Sequence, residues 1–239
     1  MTCAIHQPVF LPWAGFFYKA MQADKFVFLD DAQFEKGGYQ NRARIKTDAG
    51  ARWLTIPVKT AGRKEQKICD VETMDNRWMD KCINMVAKWY PGVEYFVCVA
   101  TAINSRRETD KLLSPYTINV TEILLERLGW LDRSSLVCRS SDLGLGNLTA
   151  TDRLIEICRR VGADTYIAGA GGRKYMEMDK FKQAGIKVLF TEYHTPHYDQ
   201  RHARGPFIPD LSIIDMLYNA GIEGTKKLIA AGGKITEAK

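Results

Sequence analysis

Four groups of residues in this 239-residue chain combine types and spacings that chemistry can use. The first is the run 6-HQPVFLPWAGFFYK-19. His6 and Gln7 follow a short apolar strand beginning at Ala4-Ile5 and precede a helix. Ligands of open α/β sheets bind at that end of a strand, and an imidazole there can act as acid, base or ligand contact. Backbone N–H groups at the helix start, between Trp13 and Gly15, would suit an anion. Gly15 would let a ligand come close, and Lys19 stands one turn into the helix. The competing account of His6 is a hydrogen-bonded structural histidine.

The second group is Asp30-Asp31 with Gln33, after the strand 24-DKFVFLDD-31. Adjacent strand residues point to opposite faces, so at most one of the two carboxylates would share a pocket with His6. There it would orient the imidazole or take a proton from a substrate amine or hydroxyl. Otherwise the pair caps the strand end or bridges to Arg42 or Arg44. The third group, 169-GAGGR-173, directly follows a strand. Glycines such as Gly171 allow successive N–H groups to form an anion-binding nest, and Arg173 could clamp a phosphate or carboxylate. Lys174 stands where a dinucleotide fingerprint needs its third glycine, and the run is not a P-loop. A plain tight turn explains it equally well.

The fourth group lies in 192-EYHTPHYDQRHARGPF-207, where His194, His197 and His202 fall within nine residues beside Glu192 and Asp199. These are metal-ligand types, but the spacing matches no metal motif. No metal is expected, and the segment reads as an active-site loop, with His197 contacting substrate. Just beyond it, Ser212 is a helix N-cap and Asp215 sits at its N3 position. A near capping box therefore competes with any substrate contact by that pair.

Charge is concentrated. Residues 36–67 carry nine basic side chains (Lys36, Arg42, Arg44, Lys46, Arg52, Lys59, Arg63, Lys64 and Lys67) against Asp48 and Glu65, a net +7 out of +6 for the chain. Such a patch draws in anionic partners. Arg42, Arg44 and Lys46 share a parity, so in a strand they share a face. An anionic ligand would relieve their repulsion; a solvated hairpin face is the plainer explanation.

The elements that must position these groups follow from periodicity. Phe16, Phe17, Ala20 and Met21 make one apolar helix face. The runs 41-NRARIK-46 and 52-RWLTIPV-58 form a hairpin across Asp48-Ala49-Gly50. Residues 77–129 are mostly helical, broken at Pro91-Gly92 and stopped at Gly129. Beyond them strands at 135–141, 164–169 and 186–193 alternate with helices at 152–162 and 176–184, the first capped by Thr149 or Thr151. Helices at 211–221 and 224–233 follow. Alternation implies a mainly parallel α/β sheet covered on both faces. We expect one domain over 1–239, with 77–129 as a helical lobe.

Composition excludes other classes. With 46% hydrophobic and 26% charged residues the chain is globular. Its longest apolar runs, such as 26-FVFL-29 and 96-FVCVA-100, are far short of a membrane span. The start, 1-MTCAIHQPVF-10, lacks the pattern of a secretory signal, so the expected compartment is the cytoplasm. None of the six cysteines is closer than 13 residues to another, which excludes CxxC motifs. Cys82, Cys98 and Cys158 read as core, and Cys3 has no partner base.

Four stretches together, 5-IHQPVFLPWAGFFYKA-20, 29-LDDAQFEKGGYQNRARIK-46, 169-GAGGRKY-175 and 207-FIPDLSIIDMLYNAG-221, resemble the WbqC-like proteins of bacterial surface-polysaccharide and other biosynthetic gene clusters. The resemblance runs over nearly the whole chain. It implies a small-molecule modifying enzyme, often beside amino-sugar genes, that transfers an acyl or aminoacyl group. It carries over His6, Gln7, Pro8, Trp13, Gly15, Lys19, Asp30, Asp31, Gln33, Asn41, Arg42, Ser212 and Asp215 as site candidates. A looser resemblance, of fold alone, is to the HIGH-signature nucleotidyltransferase-like enzymes. It implies a Rossmann-like sheet of the nucleotidyltransferase or HUP-like kind, although the second histidine of that signature is missing.

The expected activity is therefore transfer of an acyl or aminoacyl group from an activated phosphate-bearing donor to an amine of a small molecule or amino sugar. Aminoacyl-tRNA and an acyl thioester are both candidate donors. His6, helped by Asp30 or Asp31, would deprotonate the amine, while Arg42, Arg44, Lys46 and Arg173 hold phosphates. No cofactor is expected. Rival expectations are a ligase or nucleotidyltransferase with Mg²⁺ on Asp30 or Asp31, and a non-enzymatic RNA-binding protein using 36–67.

Overall fold

The computed structural model describes residues 1–105, 111–130, 137–200 and 203–237, with the side chains of 93–98 and 137 outside the description. Five strands run parallel: β1 (Thr2–His6), β2 (Lys25–Phe28), β5 (Val137–Arg139), β6 (Thr165–Gly169) and β7 (Lys187–Tyr193). β8 (Gly233–Glu237) adds an antiparallel edge, giving the order β5-β2-β1-β6-β7-β8. Central strands of such a sheet are buried on both faces. Cys3, Ala4 and Ile5 of β1 and Phe26, Val27 and Phe28 of β2 are accordingly buried without alternation.

One face carries α1 (Ala14–Met21) and α7 (Ile213–Gly232); the other carries α5 (Ala150–Arg160) and α6 (Met178–Gln183). Between β2 and β5 the chain leaves the sheet. It forms an antiparallel hairpin, β3 (Arg42–Thr47) with β4 (Gly50–Thr55), and then α2 (Arg77–Trp89), α3 (Val93–Asn104) and α4 (Leu113–Arg127). The excursion shares its core with the first sheet face: Phe16 and Phe28 belong to the same apolar cluster as Ile45, Trp78 and Tyr116. Each such side chain contributes about 1.5–3 kcal/mol by leaving water. Among the described residues no helix is long and apolar enough to cross a membrane. Cys3, Cys82 and Cys158 are buried free thiols; the side chain of Cys98 lies outside the described ones.

Several expectations need correction. The two helices expected over 211–233 both form, but no loop parts them: they run together as α7 through a kink at Gly221, whose φ of 69° only glycine adopts easily. The residues after it form β8, whose pairing with β7 has no periodic signature in five residues. Thr149 is the N-cap of α5 but makes no capping bond, and the Thr151 hydroxyl instead accepts from the Glu177 N–H at 3.0 Å. The capping box at 212–215 does not form either. Ser212 accepts from the Ile214 N–H at 3.4 Å, while the Asp215 carboxylate turns inward to other partners.

Candidate functional site

From β1 the chain moves outward through β2 to β5, then returns to the other side of β1 as β6. The carboxyl ends of β1 and β6 therefore diverge at a topological switch point, where open α/β sheets bind ligands. A cavity of about 500 Å³ opens there, lined among others by His6, Gln7, Trp13, Lys19, Gly171 and Tyr175. A hollow of about 530 Å³ between β4 and α2 is comparable in size but holds none of these groups. Chemistry, not volume, selects the first.

The run after β1 folds tightly. Leu11 takes φ 45°, a left-handed conformation that costs a branched side chain about 1–2 kcal/mol. The Pro12 carbonyl accepts from the Ile213 N–H at 2.8 Å, and Trp13 bridges to Ser212. The turn thereby seats Trp13 over the half-buried imidazole of His6, their ring centroids 5.7 Å apart, with Phe16 at 4.9 Å on another side. Gly15 serves this packing: a Cβ there would stand 2.8 Å from Trp13 Nε1 and 3.0 Å from Tyr193. Its missing side chain makes room for the protein's own rings rather than for a ligand.

His6 Nδ1 lies 2.8 Å from the Gln7 carbonyl. A carbonyl only accepts, so Nδ1 carries the proton and Nε2 keeps its lone pair. Burial, then the nearby Lys19 ammonium, push the imidazole down to about 4, against the opposing Gln7 bond. The ring is thus neutral near pH 7. Lys19 is 5% exposed, and its ammonium donates to the Ile5 carbonyl at 2.7 Å. Burial lowers it to about 8, offset in part by Cys3. Cys3 itself is pushed far up, first by its bond to Cys158 and then by burial, so it is no thiolate nucleophile.

Across the cavity, residues Ala170–Lys174 form a 3₁₀ turn. Gly169 has φ −74° and ψ 158°, open to any residue, and a Cβ on Gly169 or Gly171 would meet nothing within 4 Å. Neither backbone nor packing demands glycine here. Close approach of a ligand to the backbone would.

The remaining candidates lie elsewhere. β2 ends at Phe28, so Asp30 and Asp31 are past the strand and do not split between its faces. Both reach the Ser140 hydroxyl. Asp30, 1% exposed, also accepts from Ser114, from the Ser141 N–H at 3.0 Å and from its hydroxyl at 2.9 Å. Asp31 pairs with Arg153 rather than Arg42 or Arg44. Neither carboxylate bonds the His6 ring, whose hydrogen bond goes to Gln7. Gln33 is exposed, donating to the Lys64 carbonyl. Asn41 donates to the Ile56 carbonyl and ties the hairpin to the chain after it.

Arg42 lies over the Trp53 ring at 4.0 Å, and the Arg44 carbonyl accepts from Ser212. Lys46 is buried, its ammonium reaching the Gln200 and Gly205 carbonyls and its N–H donating to the Tyr90 hydroxyl. Tyr90 and Tyr198 both donate to Asp215, at 2.9 and 2.7 Å. Lys46, Ser212 and Asp215 thus fasten the hairpin to α7 and the segment before it. Arg173 is held at the sheet edge by Thr236 at 2.7 Å and over Phe190, facing away from a phosphate-clamping role in the turn. His197 packs on Phe207, and His202 lies outside the described residues. Tyr166, Tyr175 and Leu154 also line the cavity, and none of them is among the site candidates read from the sequence. Tyr175 alone had a signal, closing the glycine-rich run.

Comparison with known proteins agrees with the resemblance read from the sequence. The family model described as the WbqC-like protein family matches residues 7–227. The chain is also similar to Uncharacterized protein Rv1507c of Mycobacterium tuberculosis, at 29% identity over 220 residues, covering 92% of this chain and 94% of that one. No solved structure matches.

Proposed function

Since the chain belongs to the WbqC-like protein family, we propose that it is a cytoplasmic biosynthetic transferase built on a Rossmann-like sheet, moving an acyl or aminoacyl group from a phosphate-bearing donor to an amine. The observation that carries this reading is the meeting of a neutral imidazole, a buried lysine and an open glycine turn in one switch-point cavity. The turn and Lys19 receive the donor's phosphate. The acceptor amine approaches His6 Nε2. Its nitrogen attacks the acyl carbon, a C–N bond forms, and the bond from that carbon to its oxygen or sulfur leaving group breaks. The amine's proton passes to Nε2 and then to the leaving atom. A bound phosphate would also raise the imidazole from about 4 towards neutrality, where a base works best. Positioning supplies most of the rate.

A second reading, a ligase or nucleotidyltransferase, draws on the strand order, which suits nucleotides. Asp30 and Asp31 serve it poorly, being engaged by serines and Arg153. Native mass spectrometry of freshly isolated protein tests both. A phosphate-bearing ligand retained by the wild type and lost in Lys19→Met is the expected result. A cavity that takes up neither AMP nor coenzyme A, in either protein, overturns it. Release of AMP or pyrophosphate that needs added Mg²⁺ transfers the assignment to the second reading.

A further inference from the structure

The basic hairpin is not merely cationic. A row of aromatic rings runs from the switch-point cavity onto the hairpin's outer face. Trp13, which lines that cavity, has its ring centroid 5.9 Å from Tyr39, and Tyr39 lies 5.5 Å from Trp53. Tyr39 is 44% exposed and Trp53 39% exposed. Adjacent large rings left in water mark a contact surface. Trp53 then lines the hollow between β4 and α2, so the row joins the two openings described above.

Cations flank the row throughout. Arg44 pairs directly across the hairpin from Trp53, and so shares its face. Arg42 stacks on Trp53 from the same face. Arg77 and Lys81 line the hollow beyond. A mononucleotide would need only the cavity. A row of rings in a positive setting suits successive unpaired bases, with their phosphates on the cations. An acidic peptide would use the charges and leave the rings idle.

We infer that the Trp13–Tyr39–Trp53 row binds the single-stranded end of an RNA, leading its terminus into the switch-point cavity. The inference rests on the proposed transferase reading and names the class of its donor as an RNA-borne one. Bases stack on Tyr39 and Trp53, and Arg42 and Arg44, on the Trp53 face, neutralise phosphates.

The test is fluorescence anisotropy of the full chain with a labelled, unstructured short RNA. A blunt RNA duplex and polyglutamate serve as competitors, and AMP binding is measured separately. Single-stranded RNA is expected to bind and to outcompete both. Trp53→Ala and Tyr39→Ala should each weaken it about 5- to 150-fold, while Trp53→Phe stays within about threefold. Both rings are exposed, so the variants should fold, as circular dichroism will check. AMP binding should be unchanged in all three. Equal competition by duplex or polyglutamate, or Trp53→Ala binding RNA like the wild type, overturns the row while leaving the cavity reading intact. Absence of AMP binding in the wild type would instead sink the cavity reading, and with it the entry of the RNA terminus, while stacking of RNA on the row is decided by the ring variants.

Discussion

Replacing Lys19 by Met should make the protein more stable and less able to hold its ligand. Lys19 is buried against the Ile5 carbonyl, and its pKa falls from 10.5 to about 8. That fall corresponds to about 3 kcal/mol of unfavourable charge burial. Met fills similar space without charge. It also removes the donor to Ile5, which costs about 1–3 kcal/mol. The net gain near pH 7 is about 1 kcal/mol, or about 2–4 °C in Tm for a chain of this size.

The sign of the pH dependence is specific. Between 8 and 10.5 the unfolded wild type binds a proton at Lys19 that the folded one does not, so wild-type stability rises with pH there. By about pH 9.5 the wild type recovers about 2 kcal/mol, and Met has nothing to recover. Thermal unfolding followed by circular dichroism should therefore show the variant ahead at pH 7 and behind at about pH 9.5. A variant less stable at pH 7, by an amount that pH does not change, would refute the claim that Lys19 is a desolvated charge.

Three further outcomes follow from neighbouring geometry. The His6 ring should titrate near 4 by NMR; since the unfolded ring takes its proton near 6.5, stability should fall by up to about 3 kcal/mol as pH drops from 6.5 to 4. In Lys19→Met that titration should move upward, and an unmoved value would mean the two charges do not couple. Asp30→Ala should cost about 2–4 kcal/mol by orphaning the Ser114 hydroxyl and the Ser141 N–H and hydroxyl donors, lowering Tm by about 4–16 °C; a change under 2 °C would deny its structural role. Gly171→Ala should leave Tm within about 2 °C, because its Cβ meets open space, yet weaken AMP binding at least about tenfold as the methyl enters the ligand's path; unchanged binding would remove the turn from the site.

The sequence by itself determined the alternation of strands and helices, because apolar periodicity is local and each element must bury one side. It also determined His6, Gln7, Lys19 and the glycine turn as neighbours of strand ends, since they end or directly follow β1 or β6 or sit one helix turn on. It could not show which carboxylates meet them. Asp30 and Asp31 look identical in sequence to a catalytic pair, but Ser114, Ser140 and Arg153, all more than 80 residues away, engage them. The same holds for Arg173, captured by Thr236 on a strand with no periodic signature. Lys46 and Asp215 were legible as polar residues and not as parts of one buried fastening. Only the tertiary structure aligned Trp13, Tyr39 and Trp53, because their contacts depend on how the hairpin folds back over the loop after β1. Hydrogen-bond partners and ring contacts are properties of packed space, and sequence separation carries almost no information about them.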